Sequence, residues 1–291
     1  MGRDLAIEYP VAKQVFDEAD EALGYSISTI CFEGPEDALT LTENTQPAIL
    51  ANSIAVLRTL QEVRGLTFDI AAGHSLGEWS ALVAAGALSF SDAVKLVHLR
   101  GKAMQEAVPE GQGSMAAIIG LAADKLAEVC AEAAQGQVVA PANFNGGSQI
   151  VISGHKEAVE RAAGAAKPAG SKIAKVLQVS APFHCALMEP AAAKVQAALA
   201  EVELGDMQVP VVANVDASAN QDKGRVKDLL VAQVTGAVRW EESMQALVGA
   251  GVDSAIELGS GSVLRGLARR IAKDLKVTTV GEPHEIKDVE I

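Results

Sequence analysis

The feature that most constrains the fold is a G-x-S-x-G stretch at residues 73–77, set between an apolar segment and a helix-forming one. Residues 66–70 are short and apolar, which predicts a buried strand. Residues 80–88 are rich in helix formers. A glycine-flanked serine at a strand-to-helix turn is typical of a nucleophile elbow, where strained backbone exposes the hydroxyl at a helix N-terminus. We therefore predict that Ser75 is a nucleophile; the alternative is a serine that only caps the helix.

Composition limits the class of fold and of partner. The 291 residues are 49% hydrophobic but only 3% aromatic, so the core must consist of Ala, Val, Leu and Ile. This length suffices for one large domain or two moderate ones, and strands that alternate with alanine-rich helices indicate an α/β fold. The formal net charge of −13 argues against a general nucleic-acid-binding protein.

The cysteines, the histidines and the hydropathy pattern limit the location and the kind of site. Three cysteines without C-x-x-C spacing indicate a reducing compartment, and five histidines without metal-ligand spacing predict no metal site. The charged start lacks the apolar core of a signal peptide, and no apolar run is long enough to span a membrane. We therefore expect a cytoplasmic protein with no membrane attachment.

The pattern of elements changes at a breaker-rich joint at residues 109–113. Beyond it the order β-α-β-β-α-β predicts a ferredoxin-like unit that ends near residue 179. We predict a large α/β catalytic domain from residues 1–110 and 181–291, and a small inserted domain from residues 111–180. The charged chain end, residues 281–291, is predicted to be loose.

A nucleophilic serine needs a base, and His184 is the best candidate. It follows Pro182 at a predicted turn, where the small domain returns to the large one, and a cleft between domains is a usual place for a site. We predict that a helix opens near His184; the alternative role is a surface or capping histidine. His74 adjoins Ser75 in sequence, but its side chain should point away, which favours a supporting role.

Segments along nearly the whole chain resemble, in the same order, the malonyl-CoA:acyl-carrier-protein transacylases, an acyltransferase family of fatty-acid synthesis. The resemblance implies an α/β-hydrolase-like large domain with a parallel sheet and an inserted ferredoxin-like small domain. The segments that carry it are Gly73-His74-Ser75-Leu76-Gly77-Glu78, Arg100-Gly101, Met115-Ala116-Ala117-Ile118, Asn143-Phe144-Asn145, His184-Cys185-Ala186-Leu187-Met188 and Asn214-Val215.

The resemblance implies catalytic roles for three residues. Ser75 is the acylated nucleophile, His184 is its base, and the backbone carbonyl of Gln233 orients the histidine. No acid-bearing motif lies between Ser75 and His184, which agrees with a carbonyl in place of the usual carboxylate. Arg100 would hold the free carboxylate of the malonyl group, because guanidinium suits a bidentate contact. Without the family context, Arg100 is more simply read as a helix-surface arginine.

The resemblance also places further residues around the substrate. Gln46 and Asn145 match positions that line the site, and the backbone N–H of Leu76 would join the oxyanion hole. Phe183 resembles the malonyl-selective pattern of related acyltransferases, although a core aromatic is an equal alternative. The basic residues of the helix predicted at residues 263–274 are candidates for docking an acidic carrier protein, with a solvated helix face as the alternative; they are Arg265, Arg269, Arg270 and Lys273.

The chain departs from the family pattern at its start. The family has a Gly-Gln-Gly-Ser-Gln loop after its first strand, and residues 1–5 resemble the family segment on the C-terminal side of that loop. Residues 111–114 read Gly-Gln-Gly-Ser but lie at the domain joint, so the role of the loop is not carried over. Because that loop supplies the second oxyanion-hole N–H, we expect a chain without it to be a poor catalyst.

The resemblance implies transfer of malonyl from coenzyme A to the phosphopantetheine thiol of acyl carrier protein, through a malonyl-serine intermediate. The partners would be the carrier protein and the coenzyme A thioester, with no metal or redox cofactor, and we expect a monomer. Two alternatives stay open, a serine hydrolase or thioesterase and a weakened carrier-protein-binding module.

Overall fold

The computed structural model describes residues 1–177, 179 and 181–290. Three predicted features each include a residue outside this set: the last strand of the small domain (Gln178), the turn before His184 (Ser180) and the chain end (Ile291). In the described part of the chain, no helix is both long and apolar enough to cross a membrane.

The described chain combines many helices with several strands, which confirms the predicted α/β class. The helices are α1 (Arg3–Glu8), α2 (Pro10–Leu23), α3 (Ile27–Glu33), α4 (Glu36–Thr40), α5 (Thr42–Arg64), α6 (Leu76–Ala84), α7 (Phe90–Glu106), α8 (Ala123–Ala134), α9 (Lys156–Ala166), α10 (Glu189–Ala200), α11 (Lys223–Thr235), α12 (Trp240–Gly249), α13 (Val263–Ile271) and α14 (Pro283–Asp288). The strands are β1 (Ala71–Ala72), β2 (Gly113–Ile119), β3 (Val139–Phe144), β4 (Gln149–His155), β5 (Ile173–Val176), β6 (Val211–Val212), β7 (Ala219–Asn220), β8 (Ser254–Leu258) and β9 (Lys276–Val280).

The large part of the molecule is built around short strands and two long packed helices. Strand β1 pairs in parallel with β6, β6 pairs antiparallel with β7, and β8 and β9 form a second parallel pair. Helices α5 and α7 lie close together because Gly101 has no side chain; a Cβ there would overlap the carbonyl oxygen of Thr42. This close approach brings Arg100 of α7 against Gln46 of α5, where the two side chains are hydrogen-bonded.

The small part is an antiparallel sheet in the order β3-β4-β2-β5, and its elements follow the predicted β-α-β-β-α-β sequence. Helices α8 and α9 pack on it through a separate apolar cluster that includes Ile118, Leu126 and Ile152. Strand β3 also contacts the large part, because the N–H of Val238 donates to the carbonyl of Ala142. The boundaries at residues 110/111 and 180/181 stay predictions.

The strand predicted at residues 66–70 is wrong. That segment closes the end of α5, where the N–H of Leu66 donates to the carbonyl of Leu60. The chain reaches the sheet only at Ala71, whose N–H donates to the carbonyl of Pro210. The apolar run therefore ends a helix, and the strand is the two residues that come after it.

The predicted loose chain end is also wrong over its described residues, 281–290. Helix α14 begins with a capping box between Glu282 and Glu285, and Ile286 is fully buried. Arg64 at the end of α5 donates to three carbonyls of this segment, including that of Val289. Ile286 and Val289 are the two apolar residues of this charged segment that pack into the core of the large part.

The helix predicted to open near His184 begins later. Residues 186–188 form a 3₁₀ turn, and α10 starts at Glu189, with Pro190 in its first turn. The backbone at His184 is left-handed, with φ 59°, which is incompatible with a helix start at that residue.

Candidate active site

The elbow is held by a close contact between two glycines and by hydrogen bonds from the side chains of Asn214 and Gln233. Ser75 lies at the N-cap of α6 with φ 51° and ψ −105°, a conformation that side-chain-bearing residues rarely adopt. A Cβ on Gly73 would overlap the backbone of Gly77, so strand and helix can meet only with glycine there. Asn214 holds both sides of the turn, since its Oδ1 accepts from the N–H of Ser75 at 2.7 Å and its Nδ2 donates to the carbonyl of Gly73 at 2.8 Å.

Ser75 and His184 form a hydrogen-bonded pair. The Oγ of Ser75 lies 2.7 Å from the Nε2 of His184, whose Nδ1 lies 2.9 Å from the carbonyl oxygen of Gln233 and 3.2 Å from that of Gly236. Carbonyl oxygens only accept, so Nδ1 carries the proton and Nε2 presents its lone pair to the hydroxyl.

The electrostatics keep His184 neutral. Its side chain is buried, and burial together with the nearby Arg100 charge lowers the pKa of His184 to about 3. At neutral pH the Nε2 atom is therefore unprotonated and can accept the proton of Ser75.

A buried cation lies beside the nucleophile. Arg100 is only 2% exposed; its Nη1 donates to Oε1 of Gln46 at 2.7 Å, and its Nη2 donates to Oε1 of Gln233 and to Oγ of Ser75, each at 3.1 Å. Its Nε has no hydrogen-bond partner among the described residues. Burial lowers the pKa of Arg100 to about 10, which leaves it charged at neutral pH. Such a group can bind an anion next to the serine.

Three other predicted site residues lie next to the elbow: His74 and Leu76 flank Ser75 in the chain, and Asn145 contacts His74. The Nε2 of His74 is 2.9 Å from the Oδ1 of Asn145, and the His74 ring lies 5.6 Å from that of Trp240. Burial lowers the pKa of His74. This contact joins the elbow to the β3–β4 turn. Leu76 is the first residue of α6, where a backbone N–H has no intrahelical acceptor.

Phe183 lies apart from the polar cluster. It is half-buried and packs against apolar clusters of both the large and the small part, which fits a core aromatic as well as a substrate contact. Its role, like those of the other predicted site residues, stays a prediction.

Two buried polar residues at the site had no predicted role, although both belong to segments that carry the resemblance. The side chain of Asn214 is hydrogen-bonded to the elbow, and the carboxylate of Glu78 accepts from the backbone N–H of Asn214. Glu78 could have been noticed from the sequence because it is an acidic residue in the first turn of a helix, on the same part of the helix as the apolar Trp79 and Leu82. The signal for Asn214 is a polar residue after a strand that neighbours the elbow strand, because the carboxyl ends of parallel strands are where sites form. In the described part of the chain, no group of three or more His, Cys, Asp or Glu side chains is placed to hold a metal ion.

The sequence and the structure both match known acyltransferases. The family model described as the acyl transferase domain matches residues 1–285. The malonyl CoA-acyl carrier protein transacylase of Escherichia coli (strain K12) is 49% identical over 280 residues, which are 96% of this chain and 91% of that protein.

Solved structures agree with this match. The crystal structure of an acyl carrier protein S-malonyltransferase from Vibrio cholerae is 48% identical, with a TM-score of 0.97, and the match covers 100% of this chain and 95% of that one. A malonyl-transacylase solved in complex with its type II PKS acyl-carrier protein is also 48% identical, with a TM-score of 0.96 and coverage of 99% of this chain and 93% of that one.

Proposed function

The chain belongs to the acyl transferase domain family, and from that premise we propose that it transfers a malonyl group from coenzyme A to the phosphopantetheine thiol of an acyl carrier protein. It is an acyltransferase. The observation that carries the malonyl assignment is the guanidinium of Arg100, which is buried 3.1 Å from the nucleophilic oxygen of Ser75. A cation at that position matches an acyl group with a distal carboxylate, whereas a hydrolase of uncharged acyl groups has no use for it.

In the first half of the reaction, Oγ of Ser75 attacks the carbonyl carbon of the malonyl thioester while Nε2 of His184 takes the hydroxyl proton. The carbonyl of Gln233, at Nδ1, stabilises the imidazolium that forms. The N–H of Leu76 stabilises the oxyanion. The C–S bond then breaks, the coenzyme A thiolate takes the proton from His184, and malonyl stays on Ser75 as an ester.

The second half uses the same groups in reverse. Nε2 of His184 takes the proton of the phosphopantetheine thiol, and the thiolate attacks the ester carbonyl. The C–O bond to Ser75 breaks, and its oxygen regains a proton from His184. Arg100 keeps the malonyl carboxylate in place through both halves, so the acyl carbon meets each thiol in one orientation.

Cofactors, partners and location follow from this chemistry as parts of the proposal. Every bond change uses the thioester, the thiol and the side chains named, so the reaction needs no metal or redox group. The partners are a coenzyme A thioester and an acyl carrier protein, and we propose that the enzyme works as a monomer. The three buried, unpaired cysteines fit a reducing compartment, which supports the cytoplasm.

Mass spectrometry after mixing the protein with malonyl-CoA tests the function. We expect a malonyl adduct on Ser75 that persists until holo carrier protein is added and then moves to its thiol. Rapid release of malonate into water would instead indicate a hydrolase or thioesterase. Absence of any adduct, with carrier protein still bound, would indicate a binding module. The Ser75→Ala variant is the control for the site of the adduct.

A further inference from the structure

Glu78 is a buried carboxylate one helical turn beyond the nucleophile, and the proposed mechanism does not use it. It is 2% exposed. Its Oε2 accepts from the backbone N–H of Asn214 at 2.9 Å and from Nε2 of Gln233 at 2.8 Å. A buried carboxylate carries a large desolvation cost, so one kept this close to a reactive site calls for a physical reason.

The first consequence of Glu78 concerns the amide of Gln233. This amide lies between Glu78, whose carboxylate only accepts hydrogen bonds, and Arg100, whose guanidinium only donates them. Its NH₂ group must therefore face Glu78 and its oxygen must face Arg100. In that orientation Nε2 also donates to the backbone carbonyl of Ser75 at 2.9 Å. A neutral, donating group at position 78 would remove the reason for this orientation.

The second consequence concerns the elbow itself. Glu78 holds the backbone of Asn214, and the side chain of Asn214 holds the N–H of Ser75 and the carbonyl of Gly73. The strained backbone of Ser75 is thus fixed through Asn214 on one side and through Gln233 on the other. Both routes end on the same carboxylate oxygen.

We propose that Glu78 is a positioning residue for acyl transfer, whose ionised carboxylate fixes Gln233 and Asn214 and thereby holds Ser75, His184 and Arg100 in their reactive arrangement. The inference rests on the proposed function. It assigns Glu78 no contact with substrate, and its effect passes through the two residues that it orients.

The surroundings of Glu78 make its charge sensitive to pH near neutrality. Burial raises the pKa of Glu78 to about 7, although the hydrogen bonds from Asn214 and Gln233 and the charge of Arg100 act to lower it. The charged groups that act on it are Arg100 on α7 and Asp216 in the segment after β6.

The test compares Glu78→Gln with the wild type and with Glu62→Gln, a control that neutralises an exposed carboxylate near the end of α5. We expect Glu78→Gln to lower kcat/KM for malonyl transfer at pH 8 by about tenfold to a hundredfold. We expect kcat/KM of the wild type and of the control to fall about tenfold from pH 8 to pH 6, as a carboxylate with this pKa takes up its proton. The Glu78→Gln rate should stay flat over that range.

Labelling with a fluorophosphonate, which reacts with any activated serine, provides a readout that does not need malonyl-CoA. Ser75 in Glu78→Gln should label more slowly than in the wild type by a similar factor. If the wild type is not malonylated at all, the proposed function fails, but the labelling ratio still decides the role of Glu78.

Three results would overturn the proposal. The first is wild-type kcat/KM in Glu78→Gln, and the second is a slow Glu78→Gln whose kcat/KM still falls from pH 8 to pH 6, a fall called the acid limb below. The third is a loss of kcat/KM no larger than the unfolded fraction seen in thermal unfolding. If Glu78→Gln does not fold, Glu78→Asp takes its place. Its carboxylate is one methylene short, so it should be slower than the wild type and keep the acid limb, and equal activity would overturn the proposal.

Discussion

The elbow region and the small antiparallel sheet are held together in different ways. Strands β2 and β4 pair over seven consecutive residues, from Gly113 opposite His155 to Ile119 opposite Gln149, above a purely apolar cluster. Strand β1 at the elbow pairs over two residues, and the backbone at Ser75 and at His184 has positive φ. The elbow is held by side-chain hydrogen bonds from Asn214 and Gln233 in place of a long ladder.

This difference shows where the molecule stores strain and where it is stable. A regular ladder over an apolar cluster contributes stability, whereas two residues with positive φ and the buried side chains of Arg100 and Glu78 cost it. The strained part is the part that carries the proposed chemistry. Changes at the elbow should therefore alter rate more than stability, and changes in the small sheet should do the reverse.

The largest contrast is expected between His184→Gln and Leu126→Ala. His184→Gln should lower kcat by about 10²–10⁴, because the general base is lost. Leu126→Ala should lower the free energy of unfolding by about 2–5 kcal/mol, because Leu126 is fully buried in the small-sheet cluster. The folded fraction of Leu126→Ala should keep wild-type kcat at 25 °C. Stopped-flow acylation and urea unfolding measure the two quantities, and a large rate loss in Leu126→Ala would break the comparison.

Acid should weaken the elbow through His184. Its pKa is lowered to about 3 in the folded protein from 6.5, so the stability it contributes is present above pH 6.5 and is lost as pH falls towards 3. From pH 7 to pH 4 the wild type should lose about 3 kcal/mol of unfolding free energy relative to His184→Gln. Urea unfolding of both proteins at several pH values measures this difference. An equal loss in the two proteins would mean that His184 is not held neutral.

Arg100→Ala should change which acyl group is used. Loss of the charge-assisted contact should lower kcat/KM for malonyl-CoA by about tenfold to a hundredfold, while acetyl-CoA gains relative to it. Competition between the two donors measures the ratio. Lys102→Ala, two residues along α7 and exposed, is the matched control. Unchanged malonyl preference in Arg100→Ala would remove its proposed role.

The two regions also differ in how well the sequence predicts them. The order of elements in the small sheet follows from local sequence: β2 and β4 are short apolar runs, and α8 and α9 are alanine-rich segments between turn residues. At the elbow, the motif and the resemblance indicated Ser75 and His184, which lie 109 positions apart yet within hydrogen-bond distance.

The remaining details of the elbow depend on contacts that local pattern does not encode. The second carbonyl at His184 Nδ1, from Gly236, and the link from Glu78 to Gln233 join residues far apart in the chain. The wrong strand at residues 66–70 has a local cause. Gly65 ends α5 with a positive φ, and the N–H of Leu66 donates to the carbonyl of Leu60, so the start of the apolar run belongs to the helix cap.

The effect of glycine versus alanine on stability should be smaller than these differences, and at the elbow glycine should be the more stable choice, opposite to its usual effect. Glycine in place of alanine ordinarily costs about 0.5–1 kcal/mol. At position 75 we expect Ser75→Gly to be more stable than Ser75→Ala by about 1 kcal/mol, because φ 51° with ψ −105° strains any side chain. Both variants lack the hydroxyl, so thermal unfolding isolates the backbone. In the small sheet, Gly154→Ala should cost about 1–3 kcal/mol, because a Cβ would overlap the carbonyl of Val138.

The smallest effect is expected where the two regions meet, at the basic face of α13. The helix predicted at residues 263–274 ends at Ile271, so Lys273 lies just beyond it. Arg269, Arg270 and Lys273 are exposed, and Nη1 of Arg270 donates to Oε1 of Gln149 in the small sheet at 2.6 Å. The turn before Gln149 carries Asn145, which contacts the elbow, so an acidic carrier protein bound on this face would lie beside the site.

Arg269→Glu should therefore lower kcat/KM for the carrier protein by about two- to fivefold and flatten its salt dependence, while acylation by malonyl-CoA is unchanged. Lys95→Glu, an equal charge reversal at an exposed position on α7, should change neither half-reaction. The comparison separates a local contact from the overall charge of −13, which both variants make more negative by the same amount. If the two variants slow carrier turnover equally, the carrier protein responds to net charge and the face of α13 is a solvated helix surface.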